Sequence, residues 1–126
     1  IGKSELIRKG KEIAILAFGP LVSTALEVAN ELNATLIDMK FVKPIDENII
    51  KKSVNKHKVI VTIEDNTILG GAGSAVMEVI SKNNLKCKTI CLGIPDEFLE
   101  HGTQHEIYKL CGLDKNSIIK KIVKQL

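Results

Sequence analysis

The sequence predicts an α/β domain in which a largely parallel sheet lies between two layers of helices. Three observations carry that expectation. Apolar runs alternate along the chain with segments whose apolar residues recur at helical spacing. The runs are apolar throughout rather than at every second residue, as strands covered on both faces must be. Glycine, proline, asparagine or aspartate stands at most of the joins, where the chain has to turn.

In chain order, Lys3 to Arg8 reads as a short edge strand, turned at Lys9-Gly10-Lys11 into the next. Glu12 to Phe18 is apolar after its first charge and reads as a core strand that Gly19-Pro20 ends. Leu21, Val22, Ala25, Leu26, Val28, Ala29 and Leu32 then recur at helical spacing, in a helix expected to finish near Asn33. Ala34 to Met39 is a second buried strand, broken at Lys43-Pro44 because proline disfavours helix in the residue before it. Asp46 is placed to cap a helix with Ile49, Ile50 and Val54 on one face. Lys58 to Ile63 is the third core strand, and a helix with Val76, Val79 and Ile80 inward ends at Asn83-Asn84. Cys87 to Leu92 is the fourth, ended by Gly93-Ile94-Pro95-Asp96. Phe98 and Leu99 suggest a single turn, and Thr103 to Glu106 is a capping box for a short helix that closes at Gly112. Asp114 then caps a last helix whose Ile118, Ile119, Ile122, Val123 and Leu126 form one apolar stripe.

Composition narrows the function classes. A chain of 126 residues, 44% hydrophobic and 26% charged, has the length and balance of one globular domain. No apolar run approaches the roughly 18 residues of a membrane span, and no basic-then-apolar start marks a signal peptide, so the expected compartment is the cytoplasm. The opening Ile1-Gly2-Lys3 reads as a cut through a linker, and the chain as a fragment of a longer one. Net charge is +3, but the basic set is lysine apart from Arg8, and the aromatics are only Phe18, Phe41, Phe98 and Tyr108. That leaves little for a bidentate grip on phosphate or for base stacking, so no nucleic-acid partner is expected. Cys87, Cys91 and Cys111 fit neither a zinc nor a C-x-x-C spacing and read as buried packing residues.

The stretch with most chemical information runs from the third core strand into the helix after it: Glu64, Asp65 and Asn66, then Gly70, Gly71, Gly73 and Ser74. The acidic residues stand where a parallel strand leaves the sheet, the usual place for ligands and partners in open α/β folds. The glycines permit close backbone approach, and Ser74 is placed to cap the helix. Adjacent on an extended chain, Glu64 and Asp65 point in opposite directions, one inward to backbone amides and one outward. They do not form a catalytic carboxylate pair.

Other patterns fail on context. Gly71-Ala72-Gly73 has Val76 where a dinucleotide fingerprint needs its third glycine, and it follows the third core strand rather than the first. A helix start with exposed amides can still hold an anion, and close packing against another domain or subunit explains the glycines as well. His101 and His105 lack a third metal ligand, and His57 reads as a surface residue before a strand. No serine or cysteine sits in a nucleophile elbow.

Three stretches together resemble one family, the 1-deoxy-D-xylulose-5-phosphate synthases. Asn33-Ala34-Thr35-Leu36-Ile37-Asp38-Met39-Lys40-Phe41-Val42-Lys43-Pro44-Ile45-Asp46 is similar to a segment usually written V-D-x-R-F-V-K-P-L-D there. Glu64-Asp65-Asn66 through Gly70-Gly71-Ala72-Gly73-Ser74 resembles E-E-N-x-x-x-G-G-A-G-S. Gly93-Ile94-Pro95-Asp96-Glu97-Phe98, His101-Gly102 and Gly112-Leu113-Asp114 resemble its G-x-P-D-x-F, H-G and G-L-D marks. Lys40 stands where arginine is usual, which removes any bidentate contact that arginine makes, and Asp65 stands where glutamate is usual.

The resemblance implies a three-layer α/β/α fold with a mostly parallel five-stranded sheet and one antiparallel edge strand, the last of three domains in a transketolase-type enzyme. Such an enzyme uses thiamine diphosphate and magnesium to join pyruvate to glyceraldehyde 3-phosphate with loss of carbon dioxide, on the way to isoprenoid precursors and thiamine. In the family the cofactor and metal are held by the first two domains, so no catalytic, cofactor-binding or metal residue carries over to this chain. The implied partners are the preceding domains of its own chain and a second subunit of a homodimer, with no nucleic acid and no membrane. The fragment alone is expected to be inactive and to bind no cofactor. The alternative within the superfamily is the C-terminal domain of a 2-oxoacid dehydrogenase beta subunit or other transketolase-like enzyme, since those beta subunits carry a similar acid-then-glycine loop. A stand-alone anion-binding or protein-interaction module is the alternative of another class.

Overall fold

A computed structural model of the protein describes residues 3–40, 44–67, 71–94 and 104–126. Its order is β1 (Glu5–Arg8), β2 (Ile13–Ala17), α1 (Val22–Leu32), β3 (Thr35–Asp38), α2 (Glu47–Lys56), β4 (Val59–Thr67), α3 (Ala72–Lys82), β5 (Lys88–Ile94), α4 (Gln104–Leu110) and α5 (Lys115–Gln125). The strands form a five-stranded sheet in the order β1-β3-β2-β4-β5. The β1 strand is antiparallel to β3, and every other pair is parallel. The edge strand therefore pairs with β3 rather than with β2, the strand it turns into.

Two apolar layers sandwich the sheet, which is why its strands are apolar throughout. Ile13, Ile15 and Ala17 of β2 face α1 and α5, while Ala14 and Leu16 face α2 and α3. All five residues are buried. The α1 helix ends where expected, with Asn33 left-handed at φ 51°, a conformation asparagine tolerates better than most residues. Asp46 caps α2 through Oδ1, which accepts from the Ile49 amide at 3.3 Å. Its Oδ2 accepts from the amide and hydroxyl of Ser4, at 2.9 and 3.0 Å, and so ties the start of the chain to α2. Asp114 caps α5 by accepting from the Ser117 amide at 3.3 Å. Gly112 is left-handed at φ 70°, just past the end of α4.

Three expectations need correction. The β4 strand does not stop at Ile63 but runs to Thr67, because Thr67 rejoins β5 at Ile94 after a register shift. The apolar stripe of α5 is buried only at Ile118 and Ile122, with Ile119 half-covered, and Val123 and Leu126 lie exposed. His57 is not a free surface residue; it is half-buried at the end of α2, hydrogen-bonded through both ring nitrogens. The expected Phe98–Leu99 turn, the Thr103 cap and His101 lie outside the described residues, as do Gly70 and the side chains of Asn66 and His105.

No helix among the described residues is long and apolar enough to cross a membrane. Nor does any group of three or more His, Cys, Asp or Glu among them lie together as a metal set would.

Candidate functional site

The chain leaves β2 towards β3 on one side of the sheet and leaves β4 towards β5 on the other. Between the C-terminal ends of β2 and β4 lies the crevice where open α/β sheets take ligands. Glu64 and Asp65 stand at its edge. The end of β2 is locked to this point, since the Phe18 amide donates to the Ile63 carbonyl at 2.9 Å.

The two carboxylates diverge, as side chains on an extended strand must. Glu64 is 1% exposed and turns under the start of α3. Its Oε1 accepts from the Ala72 amide at 2.7 Å and its Oε2 from the Gly73 amide at 2.5 Å. A helix start leaves such amides unpaired, and they carry the positive end of the helix dipole. A buried carboxylate satisfies both needs. Burial pushes the Glu64 carboxyl above its usual range and the Asp65 charge adds to that, while the amides of Gly73 and Ala72 pull it back.

Ser74 is therefore not the cap. The helix begins at Ala72 with an extended Gly71 as its N-cap residue, which makes no side-chain cap bond, and Ser74 sits inside the first turn, half-buried. The cap comes from β4, eight and nine residues back.

Gly73 is held by contacts inside the domain. A Cβ there would lie 2.9 Å from Thr62 Oγ1, 3.0 Å from Glu64 Oε2 and 3.3 Å from Cys91 Sγ. The glycine lets α3 come down on the strand far enough for its amides to reach Glu64. Thr62 Oγ1, fully buried in the same place, has no hydrogen-bond partner among the described residues. Sequence reading passed over Thr62, although it precedes Glu64 by two and so shares its face of the strand.

Asp65 is half-buried and accepts from the Tyr108 hydroxyl at 3.4 Å, a contact that ties α4 to the end of β4. Burial raises the Tyr108 phenol, and the Asp65 charge and hydrogen bond raise it further, so it remains a donor at neutral pH. Nothing in the local sequence marks Tyr108 as the partner. Of the remaining candidates, Asn66 lies within β4. Lys40, which stands in for arginine, is left-handed at φ 59° and pairs with Glu5 of the edge strand at 3.1 Å.

These contacts bear on ligands. The Ala72 and Gly73 amides, which an open helix start would offer to an anion, are already taken by Glu64. The arrangement instead fastens a helix to a strand end and presents Asp65 beside it.

The order of the sheet, with its single antiparallel edge and helices on both faces, defines the class of α/β domain found at the end of transketolase-type chains. Residues 2–118 match the family model described as "Transketolase, C-terminal domain", and the chain belongs to that family. It is 50% identical over 123 residues to a 1-deoxy-D-xylulose-5-phosphate synthase of Psychromonas ingrahamii, covering 98% of this chain and 20% of that protein. It is 47% identical over 126 residues to the synthase of Methylobacillus flagellatus, covering 100% of this chain and again 20% of the relative. Among solved structures, a chain described as "Split gene transketolase, inactive beta4 tetramer" superposes with a TM-score of 0.88 at 30% identity. That match covers 98% of this chain and 42% of the other. The chain thus spans about one fifth of the length of these curated relatives. It is the C-terminal domain type of a transketolase family that includes the 1-deoxy-D-xylulose-5-phosphate synthases.

Proposed function

We propose that this chain is the C-terminal domain of a thiamine-diphosphate-dependent 1-deoxy-D-xylulose-5-phosphate synthase, and that it serves assembly rather than chemistry. The observation that carries the reading is the match itself. Relatives at about half identity align across nearly the whole chain, yet it accounts for only 20% of each. The complete enzyme joins pyruvate to glyceraldehyde 3-phosphate and releases carbon dioxide, with thiamine diphosphate and magnesium held by the rest of the longer chain.

The geometry supports the packing role. Glu64 and Gly73 spend their chemistry on holding α3 to β4. The surface at the C-terminal end of the sheet, with Asp65, Asn66, Gly71 and Ser74, packs against the preceding domains or the second subunit of a homodimer. The split-gene neighbour, whose name records an inactive tetramer, supports the view that such a chain associates without turning over.

The test is an assay of the full-length natural protein with both substrates, thiamine diphosphate and magnesium. Carbon dioxide release with formation of a five-carbon ketose phosphate is expected. Release of carbon dioxide without the condensation product, or no turnover with glyceraldehyde 3-phosphate as acceptor, contradicts the assignment.

A further inference from the structure

A second concave feature lies at the opposite end of the sheet, where β2 and β3 begin and α2 ends. It encloses about 340 Å³, within the range of small-ligand sites. Its apolar lining is Leu6, Ile37 and Ile49. Lys9, Lys11, Lys52 and Lys56 also line it, and no carboxylate does among the described residues.

The frame that carries these lysines is fixed. A Cβ at Gly10 would lie 2.3 Å from the Asn33 carbonyl oxygen and 2.3 Å from the Ala34 carbonyl carbon, so the turn bearing Lys9 and Lys11 rests directly on that backbone. The Gly10 amide donates to Thr35 Oγ1 at 2.9 Å. On the other side Lys52 and Lys56 are four residues apart, one turn along α2, and so share a face.

Between the two lysine pairs runs a satisfied polar wall. His57 Nδ1 lies 2.8 Å from the Ser53 carbonyl, which can only accept, so this nitrogen carries the proton. In the neutral ring Nε2 then accepts from the Thr35 hydroxyl at 2.8 Å. What stays uncompensated is charge. None of the four lysines has an ion-pair partner among the described residues, and like charges converging on one cavity repel.

We propose that this pocket binds a small amphiphilic anion, a phosphate monoester whose head takes the lysines and whose apolar part lies on Leu6, Ile37 and Ile49. Lysine rather than arginine is the fitting residue here, since a compact ammonium on a flexible stem can follow a phosphate that sits at more than one depth.

The experiment is isothermal titration of the full-length natural chain with hexyl phosphate, inorganic phosphate and 1-hexanol. The variants are Lys52→Ala with Lys56→Ala and, as a control on the exposed face of α5, Lys120→Ala with Lys124→Ala. Alanine keeps both helices, and thermal midpoints check that each variant is folded. Hexyl phosphate is expected to bind about tenfold or more tightly than inorganic phosphate. The α2 pair should weaken it by about tenfold or more, with the α5 pair unchanged. Equal affinity for the two phosphates, insensitivity to the α2 substitutions, or no heat from any probe because the rest of the chain fills the pocket, each overturns the proposal.

Discussion

Glu64 is the residue through which strand, helix and crevice are joined, and its removal should show it. Glu64→Ala leaves two buried amides without an acceptor and is expected to cost about 2–4 kcal/mol of stability, read from the shift of the denaturant midpoint. Its neighbour Thr62 should respond in the opposite sense. Thr62→Val removes a buried hydroxyl that has no partner among the described residues and is expected to stabilise by up to about 1 kcal/mol. Loss of stability in that variant would mean that the hydroxyl does have a partner. The carboxylates also differ in their response to pH. Hydrogen bonding from the Ser117 side chain holds the Asp114 carboxyl below its usual range, helped by the Ser117 amide and opposed by burial. A lowered folded pKa contributes stability above the unfolded value of about 3.9 and loses it as pH falls through the folded value. The difference between the wild type and Asp114→Asn should therefore be constant near neutrality and shrink in acid. Glu64, raised by burial, has the reverse sign. Its contribution is complete below about 4.3 and is lost as pH rises through its elevated folded value, so Glu64→Gln should remove that slope.

At the level of elements, most of what was legible in the sequence was local. The helices carried their period, and Asp46, Asp114 and Asn33 stood at ends they do cap or close. The apolar runs announced strands buried on both faces, and the opposite directions of Glu64 and Asp65 followed from strand geometry alone. The misses were long-range. The cap of α3 comes from the preceding strand, so Ser74, the nearest residue of capping type, misled. The continuation of β4 to Thr67 depends on pairing with Ile94, which no property of Asp65 or Asn66 signals. The edge strand depends on a contact of the same kind. Arg8 donates from Nε to Asn30 at 3.0 Å, and from its two terminal nitrogens to the Ala34 carbonyl at 2.9 Å and Asn33 Oδ1 at 3.1 Å, fastening β1 to the end of α1. Lysine cannot reproduce that fork. Arg8→Lys is expected to cost about 1–2 kcal/mol and to speed amide exchange in β1 while leaving β2 and β4 protected. Unchanged exchange at Leu6 and Ile7 would remove Arg8 from that role.

For the whole molecule, two things are joined: a five-stranded sheet among the described residues and a match to only a fifth of the relatives' length. The domain carries its own two-sided core, yet exposes Leu110, Val123 and Leu126, apolar side chains of the kind a partner surface covers. The family was legible from motifs spread over the whole chain, and those of their residues that the structure describes, such as Asp46, Glu64, Gly73 and Asp114, stand at helix starts or against them. What the motifs did not reveal was how the site is used, since the same acid-then-glycine pattern reads equally as an anion cradle and as a packing device. The hydrogen bonds of Glu64 to the Ala72 and Gly73 amides are packing within the domain, and the proposed reading is that the site serves packing rather than the cofactor. Isothermal titration of the isolated 126-residue chain with thiamine diphosphate and magnesium tests that claim most directly. The account predicts a flat thermogram up to millimolar cofactor, whereas saturable micromolar binding would contradict it.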